Sequence, residues 1–294
     1  MLLFAQQKEL AEKLVGEGVV LHDAGDYVGA MMKYDEALRL DENNIYALAE
    51  KAMTLMVIRK PEEAVRICDI AINEHTGSDL LYMIYVIYGN ACDELGESSR
   101  AIDIYNKGIE QFPDFYQLHF NKGITLLGMD LPEEAIISFQ ESAFLNPNHP
   151  GTHNAIGQTL YAENKLIPSL LAFAWFFVLE PEGNRAKENI EYVRDILKRE
   201  RVYAEDKEEI GAVQFIRKFE EICSAVSIQK ESNNDFYLRY YAPFFIEMKE
   251  RGMVETFGYI VFVSSGSGDI LKWIGSNEEQ IAAFYEWVNS YKWG

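Results

Sequence analysis

Apolar residues in this chain return on two scales. On the short scale they come back every three or four positions, the spacing of an amphipathic helix. On the long scale, small residues sit in the middle of such stretches at Gly18, Ala52, Gly89, Gly123 and Gly157, in steps of 34, 37, 34 and 34 residues. A second small position keeps the same steps at Ala30, Ala64, Ala101, Ala135 and Ser169. An aromatic or soft apolar residue follows it four places on, at Tyr34, Cys68, Tyr105, Phe139 and Phe173. Pro113, Pro147 and Pro181 fall 34 apart. Four positions in one register predict repeated helix pairs. A small residue in the first helix lets the second approach, the aromatic fills the space between neighbouring pairs, and the proline stops a helix and forces a turn.

This pattern resembles the tetratricopeptide repeat. The first repeat carries it as Gly18, Leu21, Gly25-Asp26-Tyr27, Ala30, Tyr34 and Ala37-Leu38; the fourth as Gly123, Leu126, Ala135, Phe139 and Asn146-Pro147. The repeats run near 11–44, 45–78, 82–115, 116–149 and 150–183. The resemblance implies an all-α fold, an α-α superhelix or solenoid over residues 1–184, because each pair leaves an apolar face that only a neighbour can cover. Some positions depart from the family. Leu14, Leu48, Tyr85, His119 and His153 stand where it favours Trp, and Arg59 stands where Gly often turns the chain. Three extra residues near Ser78–Leu81 separate the second and third repeats.

The fifth repeat differs in kind. Its second helix, Ser169 to Leu179, is apolar all round and must be covered on more than one side; the downstream chain is the expected cover. Residues 185–294 show no register and read as a helical capping or accessory domain, with helices expected at Arg185–Glu200, Lys207–Val226, Phe236–Arg251 and Asn277–Lys292. Ser276-Asn-Glu-Glu279 reads as a capping box, and Asp269 as the cap of a short helix at Ile270–Gly275. Thr256–Val263 is β-prone, but one strand without a partner is a poor structure, so it reads as a buried helix. The many aromatics here, among them Phe236, Tyr240, Tyr241, Phe244, Trp273, Trp287 and Trp293, read as core, with an exposed partner or self-assembly interface as the alternative.

Charge narrows the function. Asp and Glu number 47 against 27 Lys and Arg, a net charge of -20. Such a field repels phosphate backbones and anionic lipid, so no nucleic acid and no membrane is expected, and a protein or peptide partner of basic or neutral character is. The start of the chain does not read as a signal peptide, and no apolar run is long enough to span a bilayer. Cys68, Cys92 and Cys223 form neither a disulfide framework nor a zinc site. Together these predict a cytoplasmic protein.

No dinucleotide, Walker, nucleophile-elbow or zinc-protease motif is present, and the chain reads as a non-enzyme without cofactor. Ser264-Ser-Gly-Ser-Gly268 lacks the lysine of a phosphate loop and reads as a linker. His149 and His153 are four apart, but Pro150 and Gly151 intervene, and both read as turn and packing residues. The resemblance implies that the first helix of each pair lines a concave groove. Its matched positions give the candidate peptide-binding residues Tyr46, Met53, Met83, Asn90, Phe120, Asn121, Asn154 and Gln158. Amides both donate and accept toward an extended backbone, and Met adapts to apolar side chains. The family's carboxylate-gripping mode needs cations where this chain has Val86, Gly151 and Ala155, so it is excluded. The expected role is an interaction scaffold or adaptor holding a partner's segment in that groove. Self-assembly through the C-terminal aromatics is the alternative, and an enzyme with its site in the C-terminal domain a more distant one.

Overall fold

Asp26 and Asn44 show how the helices begin. Their side-chain oxygens accept from the backbone N–H of Gly29 at 2.9 Å and of Ala47 at 3.0 Å, satisfying donors that the first helical turn leaves without partners. They cap α2 (Tyr27–Leu40) and α3 (Ile45–Val57). The computed structural model describes residues 2–74, 77–200, 210–229 and 236–293, and every element among them is helical. Packing divides the chain into two compact units, Met1–Leu145 and Asn146–Gly294.

The first unit holds four antiparallel pairs: α1 (Leu2–Asp23) with α2, α3 with α4 (Pro61–Glu74), α5 (Leu81–Glu94) with α6 (Ser98–Gln111), and α7 (Tyr116–Gly128) with α8 (Pro132–Leu145). The first helices also touch in succession, α1 to α3 to α5 to α7. The long-range register has a direct steric cause. A Cβ on Gly123 would stand 2.5 Å from the ring of Phe139, and Gly18 and Gly89 lie in the same way against Tyr34 and Tyr105. The second pair solves the same contact differently, with Ala52 opposite Cys68, a larger residue on one side and a smaller one on the other.

The turn within each pair repeats as faithfully. Gly25, Arg59, Gly96 and Asp130 all have positive φ, at 81°, 60°, 77° and 60°. The following residue sends its N–H back to a carbonyl five residues earlier, as from Asp26 to Leu21 and from Lys60 to Leu55, both at 2.9 Å. This is a Schellman closure, which needs a left-handed residue. Arg59 and Asp130 hold that conformation at a cost glycine does not bear. The extra residues expected near Ser78–Leu81 fall between the end of α4 at Glu74 and the start of α5 at Leu81. Polar clips also keep register: Asp35 of α2 accepts from Lys51 of α3 at 2.6 Å, and at the matching positions Asp69 accepts from the Tyr88 hydroxyl at 2.5 Å.

The second unit contains α9 (Pro150–Ala162), α10 (Leu166–Leu179), α11 (Asn184–Arg199), α12 (Ala212–Gln229), α13 (Phe236–Tyr240), α14 (Ala242–Glu250), α15 (Val254–Phe262), a 3-10 turn (Val263–Ser265), α16 (Gly268–Ser276) and α17 (Glu278–Ser290). The fifth helix pair, α9 with α10, therefore packs with the C-terminal helices. The all-apolar α10 is the reason. Every residue from Ser169 to Val178 is buried, and α9, α11, α13 and α15 enclose it. The β-prone stretch is the buried helix α15, and Gly258 within it lies against Ile216 of α12.

His153 ties this unit together. Its Nε2 lies 2.7 Å from the carbonyl of Pro147 and its Nδ1 2.7 Å from the hydroxyl of Tyr241. The carbonyl only accepts, so Nε2 carries the proton and Nδ1 accepts from Tyr241. Trp175 Nε1 donates to the same Pro147 carbonyl at 2.8 Å. In the first unit His119 Nε2 makes the corresponding contact with Pro113, at 3.2 Å.

Three local expectations change. The helix expected over Phe236–Arg251 breaks at Tyr241, because Pro243 lacks an N–H and sits in the first turn of α14. Ser276 does not open a capping box: it ends α16, and the Asn277 side chain donates back to Trp273 O at 2.8 Å. Asp269 lies inside the first turn of α16, with Ser267 at the cap position. The start of the helix expected from Lys207 falls outside the described residues, and α12 begins at Ala212.

Candidate functional site

Because α1, α3, α5 and α7 touch in sequence, their outward residues share one wall of the first unit. The apolar residues on it are the anomaly. Tyr46 is 48% exposed and Met53 38%, seven residues apart on α3, and Ile124 on α7 is 43% exposed. Met53, Asn90 and Ile124 occupy matching repeat positions, so they form one row across α3, α5 and α7. Folding alone favours hiding such side chains. Ile124 is not among the candidate residues given by the repeat pattern. Its exposure, which follows from packing rather than periodicity, marks it.

The amides are not equivalent. Asn90 is exposed and its Oδ1 accepts from the Tyr105 hydroxyl at 2.7 Å. That bond fixes the amide's orientation and leaves Nδ2 without a partner among the described residues. Asn121 is half-buried, with no hydrogen bond to its amide among the described residues. Met83 is half-buried against the core of the second and third pairs. Phe120 is half-buried with its ring 5.9 Å from Phe139. Six of the predicted residues thus lie on the first unit, on helices in mutual contact.

Asn154 and Gln158 belong to α9 of the second unit. Asn154 Oδ1 accepts from Asn189 Nδ2 of α11 at 2.7 Å, so this amide is engaged by the chain's own next helix. Tyr161 of α9 is covered in the same way, donating to Asp195 at 2.6 Å and lying 4.8 Å from the Tyr192 ring. No sequence signal announced the Asn154–Asn189 pair, because α11 stands outside the repeat register.

Burial tunes the titratable groups on the wall. It pushes the Glu50 carboxyl above its ordinary range, with His22 opposing, and holds the half-buried Lys122 ammonium below its own. Burial likewise drives the Tyr105 phenol far upward, so it stays a donor to Asn90 at any ordinary pH. All three cysteines are buried, and none is in a disulfide among the described residues. No group of three His, Cys, Asp or Glu able to hold a metal occurs among the described residues. His153 has both ring nitrogens engaged. Nor is any helix among them long and apolar enough to cross a membrane.

The C-terminal aromatics go chiefly to the core. Tyr241, Phe244, Phe245, Phe284 and Trp287 are buried, while Phe236, Trp273 and Trp293 are half-buried. Trp293 reaches back to lie 4.5 Å from the Trp175 ring and 4.8 Å from Tyr240.

No protein-family model matches the chain. The human protein O-mannosyl-transferase TMTC1 is 32% identical over 185 residues, which is 61% of this chain and 20% of that protein. The chain therefore spans about a fifth of that relative's length. PilF of Pseudomonas aeruginosa superposes with a TM-score of 0.56 at 17% identity, covering 74% of this chain and 99% of that one. A thermophilic tetratricopeptide-repeat protein of Thermus thermophilus superposes with a TM-score of 0.53 at 16% identity, covering 64% and 99%. At such identities the likeness is one of fold. With the run of helix pairs, the fold is that of tetratricopeptide-repeat proteins.

Proposed function

We propose that this tetratricopeptide-repeat chain is a non-catalytic scaffold that holds a segment of a partner protein on the wall formed by α3, α5 and α7. One observation carries the reading: Tyr46, Met53 and Ile124 keep large apolar surface in water on helices that touch one another. Surface of that kind favours a covering partner. Asn90 and Asn121 supply donors and acceptors between the apolar positions, which suits the alternating demands of an extended backbone. The net charge of -20 favours a basic or neutral partner over nucleic acid or anionic lipid. Buried cysteines outside any disulfide suit a reducing compartment such as the cytoplasm. The transferase relative does not change this reading, since a fifth of its length is what this chain spans. Self-assembly through the C-terminal aromatics is the weaker reading, because most of those rings are spent on the core.

The test is affinity purification from the native host with the wild-type chain and a folded Asn90→Ala/Asn121→Ala variant, each followed by identification of what co-elutes. A partner captured by the wild type and lost or sharply reduced with the variant supports the groove. Equal capture by both removes the groove from the mechanism.

A further inference from the structure

The second helix of the fourth pair presents another surface to water. On α8, Ile137 is 61% exposed and Phe144 64%. They are seven residues apart and so lie on one stripe of the helix, within about 20° of each other around its axis. Glu133 and Glu141 flank Ile137 at about 40° on opposite sides, with Glu134 slightly beyond. All three are exposed, and none enters an ion pair among the described residues. The helix, Pro132 to Leu145, contains no Lys or Arg.

The repeat register shows that packing does not demand this. The positions matching Ile137 are Asp103 on α6, Arg66 on α4 and Met32 on α2, the last itself 60% exposed; those matching Phe144 are Glu110, Asn73 and Arg39. Glu141 matches Lys107. At the Phe144 position every other second helix of the first unit thus places a polar or charged residue, and α4 and α6 do so at the Ile137 position as well; only α8 fills both with apolar residues. Each of those helices carries at least one cation, and α8 carries none. An exposed phenylalanine beside uncompensated carboxylates has no role in the helix's own stability.

We infer that this stripe is a second docking surface, distinct from the α3–α5–α7 wall, for a basic amphipathic helix. Such a helix would lay apolar side chains against Ile137 and Phe144 and set Lys or Arg opposite Glu133, Glu134 and Glu141. The apolar pair supplies area, and the carboxylate rim selects charge and register. A neutral or acidic helix would leave three carboxylates facing no cation, so the occupant's sign follows from the rim.

The full chain is titrated with two fluorescent synthetic helices, each with Leu at heptad spacing, one flanked by Lys and one by Glu. The Lys-flanked probe should bind, more weakly as salt rises, and the Glu-flanked probe should not. Ile137→Ser/Phe144→Ser should weaken the Lys-flanked probe by about tenfold or more, whereas diffuse attraction to an acidic protein would survive that change. Glu133→Lys/Glu141→Lys should reverse the preference between probes, and Asn90→Ala/Asn121→Ala should leave it unaltered. The inference is overturned if the Lys-flanked probe binds wild type and the Ser variant equally, if it binds neither, or if wild type self-associates and the Ser variant is monomeric, which would place a second copy on the stripe.

Discussion

The ring of Phe139 occupies the space that a side chain on Gly123 would need: a Cβ there would stand 2.5 Å from Cε1. This contact sets how closely α7 and α8 approach. Replacing Gly123 with Ala gains about 1 kcal/mol of helix propensity, but overpacking of a tight contact costs about 1–3 kcal/mol, and the ring is fully buried. Gly123→Ala should therefore lose up to about 2 kcal/mol, read from urea unfolding. The second pair shows the compensating solution, Ala52 with Cys68. Gly123→Ala/Phe139→Cys should consequently be less destabilised than the sum of the single changes; additive losses would show that the two positions are not coupled.

Arg59 makes a left-handed turn with φ 60° where two other turns of the first unit use glycine. An L-residue there costs about 1 kcal/mol relative to glycine, while its ion pair with Glu94 is largely solvent-exposed and worth little. Arg59→Gly should raise stability by about 0.5–1 kcal/mol, seen as a higher melting temperature. A drop would mean that the Glu94 contact outweighs the backbone strain.

His153 predicts a pH response. Burial pulls its pKa down to about 3, partly opposed by the hydrogen bond to Pro147, whereas an unfolded His titrates near 6.5. Between those values the unfolded chain holds one proton more than the folded chain. The stability this group contributes is therefore complete above about pH 6.5 and is lost as pH falls from there toward 3. His153→Gln should be less stable than wild type at neutral pH. Its unfolding free energy should also fall less steeply between pH 6 and 4, by up to about 1.4 kcal/mol per pH unit. Equal slopes would refute the assignment.

Tyr241 tests the same network from its other end. Tyr241→Phe keeps the ring and removes the donor to His153 Nδ1, leaving a buried acceptor without a partner. The expected loss is about 1–3 kcal/mol, measured by chemical denaturation near neutral pH. A loss well below that range would mean that another donor reaches Nδ1.

On the α3–α5–α7 wall, Met53→Glu changes an exposed side chain and should leave the melting temperature within about 0.5 kcal/mol equivalent of wild type. It should nevertheless abolish capture of a groove-bound partner, because the charge would be buried unpaired on binding. Unchanged capture would move the contact away from this row.

The repeat architecture was legible because each pair writes its closest contact into sequence at fixed spacing: Gly18 under Tyr34, Gly89 under Tyr105, Gly123 under Phe139. The positive φ of Arg59 and Asp130 was less so, since only the alignment with Gly25 and Gly96 hints at it. The face carrying Tyr46, Met53 and Asn90 was legible through the family resemblance, but exposure at Ile124 depends on what neighbours leave uncovered. The contact that engages Asn154 could not be read from sequence. Its partner Asn189 sits 35 residues away, on a helix whose pattern gives amphipathicity but no address. The break at Tyr241 was signalled by Pro243, yet the apolar period on both sides reads as one continuous helix.

Enclosure of α10 by helices drawn from both ends of the second unit has a practical consequence for dissection. Cutting after the fifth pair, where the repeat register stops, would strip α11, α13 and α15 from a helix rich in Phe, Leu and Trp and leave it facing water on several sides. A fragment ending near residue 183 should be sticky and prone to precipitate, while one ending at 145 carries no such burden. The place where periodicity fades is thus a poor place for scissors.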